Sequence, residues 1–200
     1  MKNNSDDYES PDFYAFSADS ILLAKTGIAD ILTTKISGNV LDLGAGCGVV
    51  GIEFLNFSPK KQSWNLSCCE MQTDFRPYLL GNLRKYEISA KTYFIPFQEL
   101  TLSENFDVIL FNPPYFDEKN GRPAKDLQRH LCRFFKNNFF SDLELFIAQY
   151  LAPDGAFYFL YREDQINPID YFADNKYQIK TLLKVDASLR LVCVLKLQIK

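Results

Sequence analysis

The sequence predicts an α/β fold: a seven-stranded, mostly parallel, doubly wound sheet closed by a C-terminal antiparallel hairpin. Three observations predict it. Short apolar runs alternate with longer stretches of helical spacing, the pattern of a parallel sheet wrapped by helices. One run enters a glycine-rich turn and then a helix, "VLDLGAGCGVVG" (40–51). The last two runs, "YQIKTLLKV" (177–185) and "LRLVCVLKLQ" (189–198), have no helix between them and read as a hairpin.

The elements follow in order. "FSADSILLAKTGIADIL" (16–32) places Ile21, Leu22, Ile28, Ile31 and Leu32 on a helical face, with Ser17 as its cap. "NVLDLG" (39–44) is a short buried strand and "CGVVGIEFLNF" (47–57) the helix after it. "WNLSCCE" (64–70) is the second strand. "TDFRPYLLGNLRKY" (73–86) is the second of these helices, since Pro77 is tolerated near its start. "KTYFI" (91–95) and "FDVILF" (106–111) are the third and fourth strands. "FFSDLELFIAQYLAPDG" (139–155) is a helix closed by Pro153 and Gly155, and "AFYFLY" (156–161) the fifth strand. "QINPIDYFADN" (165–175) is a weak helix before the hairpin.

Composition narrows the function classes. Two hundred residues at 47% hydrophobic suit one domain, assigned to 13–200 after a polar, flexible tail at 1–12. A net charge of −3 argues against a protein that coats nucleic acid by bulk charge. No run approaches the roughly 18 apolar residues of a membrane span, and "MKNNSDDYES" reads as neither a signal nor a transit peptide. Five cysteines without a CxxC pair, and a single histidine, argue against a Cys/His zinc site. The expectation is a cytoplasmic monomer with free thiols, no metal and no membrane partner.

The glycine loop asks which ligand it holds. Gly46, Gly48 and Gly51 satisfy GxGxxG, so a dinucleotide must be weighed, although that motif alone is weak. Asp42 argues against it. A carboxylate at the strand end repels a pyrophosphate and attracts a cation. S-adenosylmethionine carries an ammonium and a sulfonium, with no phosphate. Glu70, ending the second strand, suits a ribose diol.

The glycine run, "CCE" (68–70) and "FDVILFNPPYF" (106–116), in that order and on those strands, resemble the class I S-adenosylmethionine-dependent methyltransferases. The likeness is to the N-methylating branch with an Asn-Pro-Pro-Tyr motif and covers roughly residues 13–160. "FYAFSADSILLAKT" (13–26) and, less specifically, "RHLCRF" (129–134) resemble the bacterial tRNA adenine-N6 methyltransferases acting on the anticodon loop of valine tRNA. The resemblance implies a Rossmann-like fold and S-adenosylmethionine as cofactor. It places Asp42, Gly44 and Gly46 at the methionine end, with Ala45 and Gly48 in the same loop, and Glu70 and Met71 at the ribose side. Asn112, Pro113, Pro114 and Tyr115 become the catalytic group, with Asn112 also touching the cofactor. One departure stands out: the family's acidic adenine contact after the third strand is replaced by Pro96. Phe97 and Gln98 are the substitutes, or Phe97 is ordinary core.

An exocyclic amine is a poor nucleophile because its lone pair is delocalised. Two acceptors aimed at its N–H groups take up positive charge developing in the transition state. Asn112 supplies a side-chain carbonyl and Pro113 a backbone carbonyl on a rigid segment. Tyr115 can stack on a flat target, worth roughly 1–3 kcal/mol for a base. No general base is needed, and transfer is an in-line displacement governed by positioning.

The basic run Lys119, Arg122, Lys125, Arg129, Arg133 and Lys136 is a candidate for RNA phosphates, or an ordinary solvated face. His130 is a packing residue before it is a catalyst. Asp19 either covers the cofactor or supports its helix, Asn82 supports the site, and Phe13, Tyr14 and Phe16 can flank the opening.

The leading function is therefore methylation of adenine N6 in RNA, most simply tRNA, where an anticodon loop presents an unstacked base. A glutamine-amide methyltransferase is the first rival; such enzymes usually carry a helical domain before the glycine loop, where this sequence has about 38 residues. Guanine-N2 methylation of ribosomal RNA usually has phenylalanine where Tyr115 stands. A DNA adenine methyltransferase ordinarily needs a target-reading domain. An inactive S-adenosylmethionine-binding module is disfavoured by Asp42, Glu70 and Asn112 together.

Overall fold

The computed structural model describes residues 7–14, 18–113, 116–117, 128, 134–135, 138–162, 169–172, 176–187 and 190–199. Its strands are β1 (Gly38–Leu43), β2 (Trp64–Cys69), β3 (Ala90–Tyr93), β4 (Phe106–Phe111), β5 (Phe116–Asp117), β6 (Phe134–Phe135), β7 (Leu151–Arg162), β8 (Tyr177–Ala187) and β9 (Arg190–Ile199). Its helices are α1 (Ala18–Ile31), α2 (Val49–Phe57), α3 (Arg76–Lys85), α4 (Phe139–Tyr150) and α5 (Ile169–Phe172). Seven strands form one sheet in the order β3-β2-β1-β4-β7-β9-β8. The first five run parallel, and β9 is antiparallel to both β7 and β8. This is the expected fold, hairpin included. The small parallel pair β5·β6 was not foreseen.

Side chains on a strand alternate between its faces, which divides the core in two. Val40, Leu66, Val108, Leu110 and Tyr158 pack on the side of α1, α2 and α3. Leu41, Leu43, Ile109, Phe111, Phe157 and Phe159 pack on the side of α4 and α5. The second face is aromatic: Phe111, Phe139, Phe140, Phe157 and Phe159 form a chain of neighbouring rings. Helix α1 lies close on the sheet because Gly27 has no side chain. A Cβ there would stand 3.1 Å from Leu110 and 3.4 Å from Tyr158.

Two sequence expectations need correction. Helix α4 stops at Tyr150, not at Gly155, because Leu151 already pairs with Phe106 of β4. Residues 152–155 then make an irregularity in that ladder, and Val108 resumes it opposite Ala156. A tail running to residue 12 is also wrong for its later part. Tyr8 is buried, stacks on Tyr86 at 4.9 Å and donates its hydroxyl to Glu53. Apolar burial of the ring and a half-buried hydrogen-bonded partner outweigh the polar composition of the segment. Of the weak helix expected at 165–175, the described residues 169–172 are helical and form α5. Ser17, the expected cap of α1, lies outside the described residues.

Candidate active site

Register brings three strand ends to one level. Leu43 of β1 pairs with Cys69 of β2 on one side and with Phe111 of β4 on the other. The next residues on these neighbouring strands are Glu70, Gly44 and Asn112. Adjacent strands lie roughly 4.8 Å apart, so the three emerge side by side. Beyond β1 the chain winds outward to β2 and β3, whereas β4 lies on the opposite flank. In open α/β sheets ligands bind in the crevice that such a reversal makes at the carboxyl ends of the strands.

The glycine loop is laced to the sheet from below. Ala45 N–H donates to the Cys69 carbonyl at 3.0 Å. The N–H of Gly46 donates to Glu70 Oε2 at 2.8 Å, and that of Gln72 to Glu70 Oε1 at 2.8 Å. Asp42 Oδ2 accepts from Gly51 N–H at 2.8 Å, in the first turn of α2. Gly44 and Gly48 have φ of +66° and +86°, a region that side chains resist. At Gly48 a Cβ would also meet Leu79 at 2.6 Å.

These bonds give both acids a structural role in the loop. Asp42 is 1% exposed and braces α2 beneath the loop. Glu70 is 5% exposed and already holds two backbone donors, which fixes the carboxylate at the strand end. Burial pushes the Asp42 carboxyl up to about 7; the Gly51 N–H opposes this and the Glu70 charge adds to it. Burial also raises Glu70, against the N–H groups of Gln72, Gly46 and Met71. Cys69 is pushed up to about 12 by burial and then by Glu70 and Asp42, so it is no nucleophile. Cys68 is likewise raised well above its ordinary value, by burial first.

Asn82, wholly buried on α3, ties the loop to the N-terminal segment. Its Nδ2 donates to the Cys47 carbonyl at 2.9 Å and to the Glu9 carbonyl at 2.9 Å, while Oδ1 accepts from Glu9 N–H at 3.0 Å. This is the supporting role expected of it. Phe13 and Tyr14 set their edges against Phe75, whose ring lies beneath Gly46.

At the other rim, Asn112 Nδ2 donates to Ser20 Oγ of α1 at 3.1 Å. Pro113 is buried behind it. Met71, beside Glu70, is half exposed on the rim. Phe97 packs edge-on against Phe139 and Phe146, the core alternative weighed for it, and Gln98 donates to Asp142 at 3.3 Å. Pro114, Tyr115, Phe16, His130 and the basic candidates Lys119, Arg122, Lys125, Arg129, Arg133 and Lys136 lie outside the described residues. Ser20 was not singled out from the sequence; its one signal is its place beside Asp19 in the first turn of α1. Among the described residues no cluster of His, Cys, Asp and Glu could hold a metal, and no helix is long and apolar enough to cross a membrane.

The family model of the methyltransferase small domain matches residues 13–142. A tRNA1(Val) (adenine(37)-N6)-methyltransferase of Shewanella putrefaciens is 27% identical over 147 residues, 70% of this chain and 57% of that protein. The ribosomal RNA small subunit methyltransferase C of Escherichia coli is 30% identical over 106 residues, 51% of this chain and 29% of the relative. The chain thus matches little more than half of the first relative's length and under a third of the second's. Among solved structures, a putative class I S-adenosylmethionine-dependent methyltransferase of Listeria monocytogenes superposes with a TM-score of 0.68 at 14% identity, over 98% of this chain and 64% of that one. The ribosomal protein L11 methylase of Lactobacillus delbrueckii superposes at 0.62 and 17% identity, over 92% and 80%. At those identities the superpositions show a shared fold.

Proposed function

The chain belongs to the methyltransferase small domain family of S-adenosylmethionine-dependent enzymes, and from that premise we propose that it methylates N6 of an adenine in RNA, with tRNA the favoured substrate. One observation carries the reading: Glu70, Gly44 and Asn112 leave three adjacent strands at the same level, so the cofactor loop and an amine-binding corner share one crevice.

The donor set fits the cofactor. Two buried carboxylates under a glycine loop disfavour a phosphate and favour a cation. Gly44, Ala45, Gly46 and Gly48 offer a loop without bulky side chains for the methionine end, with Asp42 as a charge behind it. Glu70 and Met71 flank the ribose side, and Phe97 and Gln98 stand nearest in sequence to the position of an adenine contact. When bound, S-adenosylmethionine supplies an activated methyl group.

The remaining work falls to this chain. Asn112 Oδ1 and the Pro113 carbonyl accept the two N–H groups of the target amine, holding its lone pair in line and stabilising positive charge as it develops. Tyr115 stacks on the base, and Lys119, Arg122, Lys125, Arg129 and Arg133 meet phosphates. The amine's proton then leaves to solvent, so no residue of shifted pKa has to act as base.

The adenine reading is supported by the tyrosine of Asn-Pro-Pro-Tyr and by the tRNA-methylating relative of Shewanella. The test is incubation with labelled S-adenosylmethionine and total RNA, followed by digestion to nucleosides. Label in N6-methyladenosine is expected; label in N2-methylguanosine, or only in protein, overturns the proposal. Asn112→Ala should lower turnover at least roughly hundredfold, as loss of a preorganised electrostatic contact does. Its S-adenosylmethionine affinity by calorimetry should stay within a few-fold of wild type.

A further inference from the structure

We propose that Ser20 is a positioning residue for methyl transfer: it sets which end of the Asn112 carboxamide faces the target amine. The inference rests on the function proposed above and concerns a residue that the motif does not contain. A carboxamide has two ends of nearly equal shape and opposite hydrogen-bonding sense. Only Oδ1 can accept an N–H from the target; an Nδ2 turned towards the amine would set donor against donor. Rotation about the last side-chain bond interchanges the two ends, so something outside Asn112 must choose between them.

Ser20 is placed to choose. Its Oγ lies 3.1 Å from Asn112 Nδ2, and the serine is 2% exposed, 92 residues away in sequence. In that bond the carboxamide nitrogen donates and the serine oxygen accepts. With Nδ2 held by Ser20, Oδ1 is directed to the opposite side. The support is stiff, because α1 is seated on the sheet by the close approach of Gly27 to Leu110. At its other end Asp30 is bound by Tyr158 and Lys196.

Turnover of the RNA fraction labelled by the wild-type protein, measured for Ser20→Ala and Ser20→Thr, tests this. Losing one such bond corresponds to roughly a five- to thirtyfold effect. Ser20→Ala should lose that factor in kcat, with KM for RNA and S-adenosylmethionine affinity within about twofold of wild type. Ser20→Thr, which keeps the hydroxyl, should recover most of kcat. A second readout does not depend on substrate: NMR of the Asn112 side-chain amide should show one Nδ2 proton protected from exchange in wild type and Ser20→Thr but not in Ser20→Ala. An unchanged kcat in Ser20→Ala, a loss of kcat matched by a loss of cofactor affinity or of Tm, or an amide signal indifferent to Ser20 would overturn the inference. Failure of the functional reading looks different: wild-type protein that methylates no adenine while the amide signal still follows Ser20.

Discussion

Asp30, in the last turn of α1, and Asp42, on β1, lie on the same side of the sheet and are provided for in opposite ways. Asp30 accepts from the Tyr158 hydroxyl at 2.8 Å and pairs with Lys196 Nζ at 2.7 Å, so its charge meets a cation. Asp42 accepts a neutral N–H from Gly51, and its charged neighbour is a second carboxylate, Glu70. No ion pair among the described residues includes it. Electrostatics in the first region is closed within the protein and serves the fold. In the second it is left open, in the one place where a cationic cofactor is expected. An uncompensated buried acid raises the energy of the ligand-free state, and a cation arriving nearby offsets that cost.

The largest effect that can break this contrast is Asp30→Ala. It strands the Lys196 ammonium in a nearly closed environment and should destabilise the fold by about 3 kcal/mol, the lower end for a broken buried pair, since Asp30 retains some exposure. Denaturant unfolding measures it. Cofactor affinity per folded molecule should not change; a stable variant with weakened binding would reverse the assignment of the two regions.

Asp42→Asn is the complementary test. The amide keeps an acceptor for Gly51 N–H and removes the charge. Affinity for S-adenosylmethionine should fall roughly tenfold, the equivalent of about 1.4 kcal/mol, while the ligand-free Tm at pH 8 holds or rises. A fall in Tm with unchanged affinity would make Asp42 a second Asp30.

The smallest effect is a pH dependence that sharpens the comparison. The Asp42 carboxyl is raised from 3.8 in the unfolded chain to about 7 in the fold. Its contribution to stability is therefore present in full below the unfolded value and lost as the pH climbs to about 7. Ligand-free protein should melt at a higher temperature near pH 5.5 than near pH 8 by the part that Asp42→Asn abolishes. Binding of a cation favours the ionised form, so cofactor binding below pH 7 should release a proton, measurable by calorimetry in buffers of different ionisation enthalpy. Equal proton release in wild type and Asp42→Asn would remove Asp42 from the account.

Much of the fold was legible because its signals are local. The apolar runs of β1 and β4, the turn at Gly44–Gly48 and the hairpin of β8 and β9 each depend on neighbours a few residues away. What was misread depended on distant partners. Leu151 reads as the end of a helix until Phe106 claims it for a strand. Tyr8 reads as tail until Tyr86 and Glu53 bury it. Asp42 and Glu70 were read from the sequence as ligand contacts by residue type, and the structure has them holding the N–H groups of Gly51, Gly46 and Gln72. Carboxylate chemistry alone does not distinguish a ligand contact from a backbone brace.

By itself the sequence determined the chemical parts and their order: a glycine loop after β1, an acid after β2, and a rigid asparagine-proline corner after β4. Each is a matter of residue type and short spacing, which the chain carries wherever it is read. The tertiary structure alone decided that these parts end at one level, that burial moves Asp42 towards neutrality, and that Ser20 meets Asn112 across 92 residues. Strand register and helix seating are set by packing of whole faces against one another. No local pattern records them.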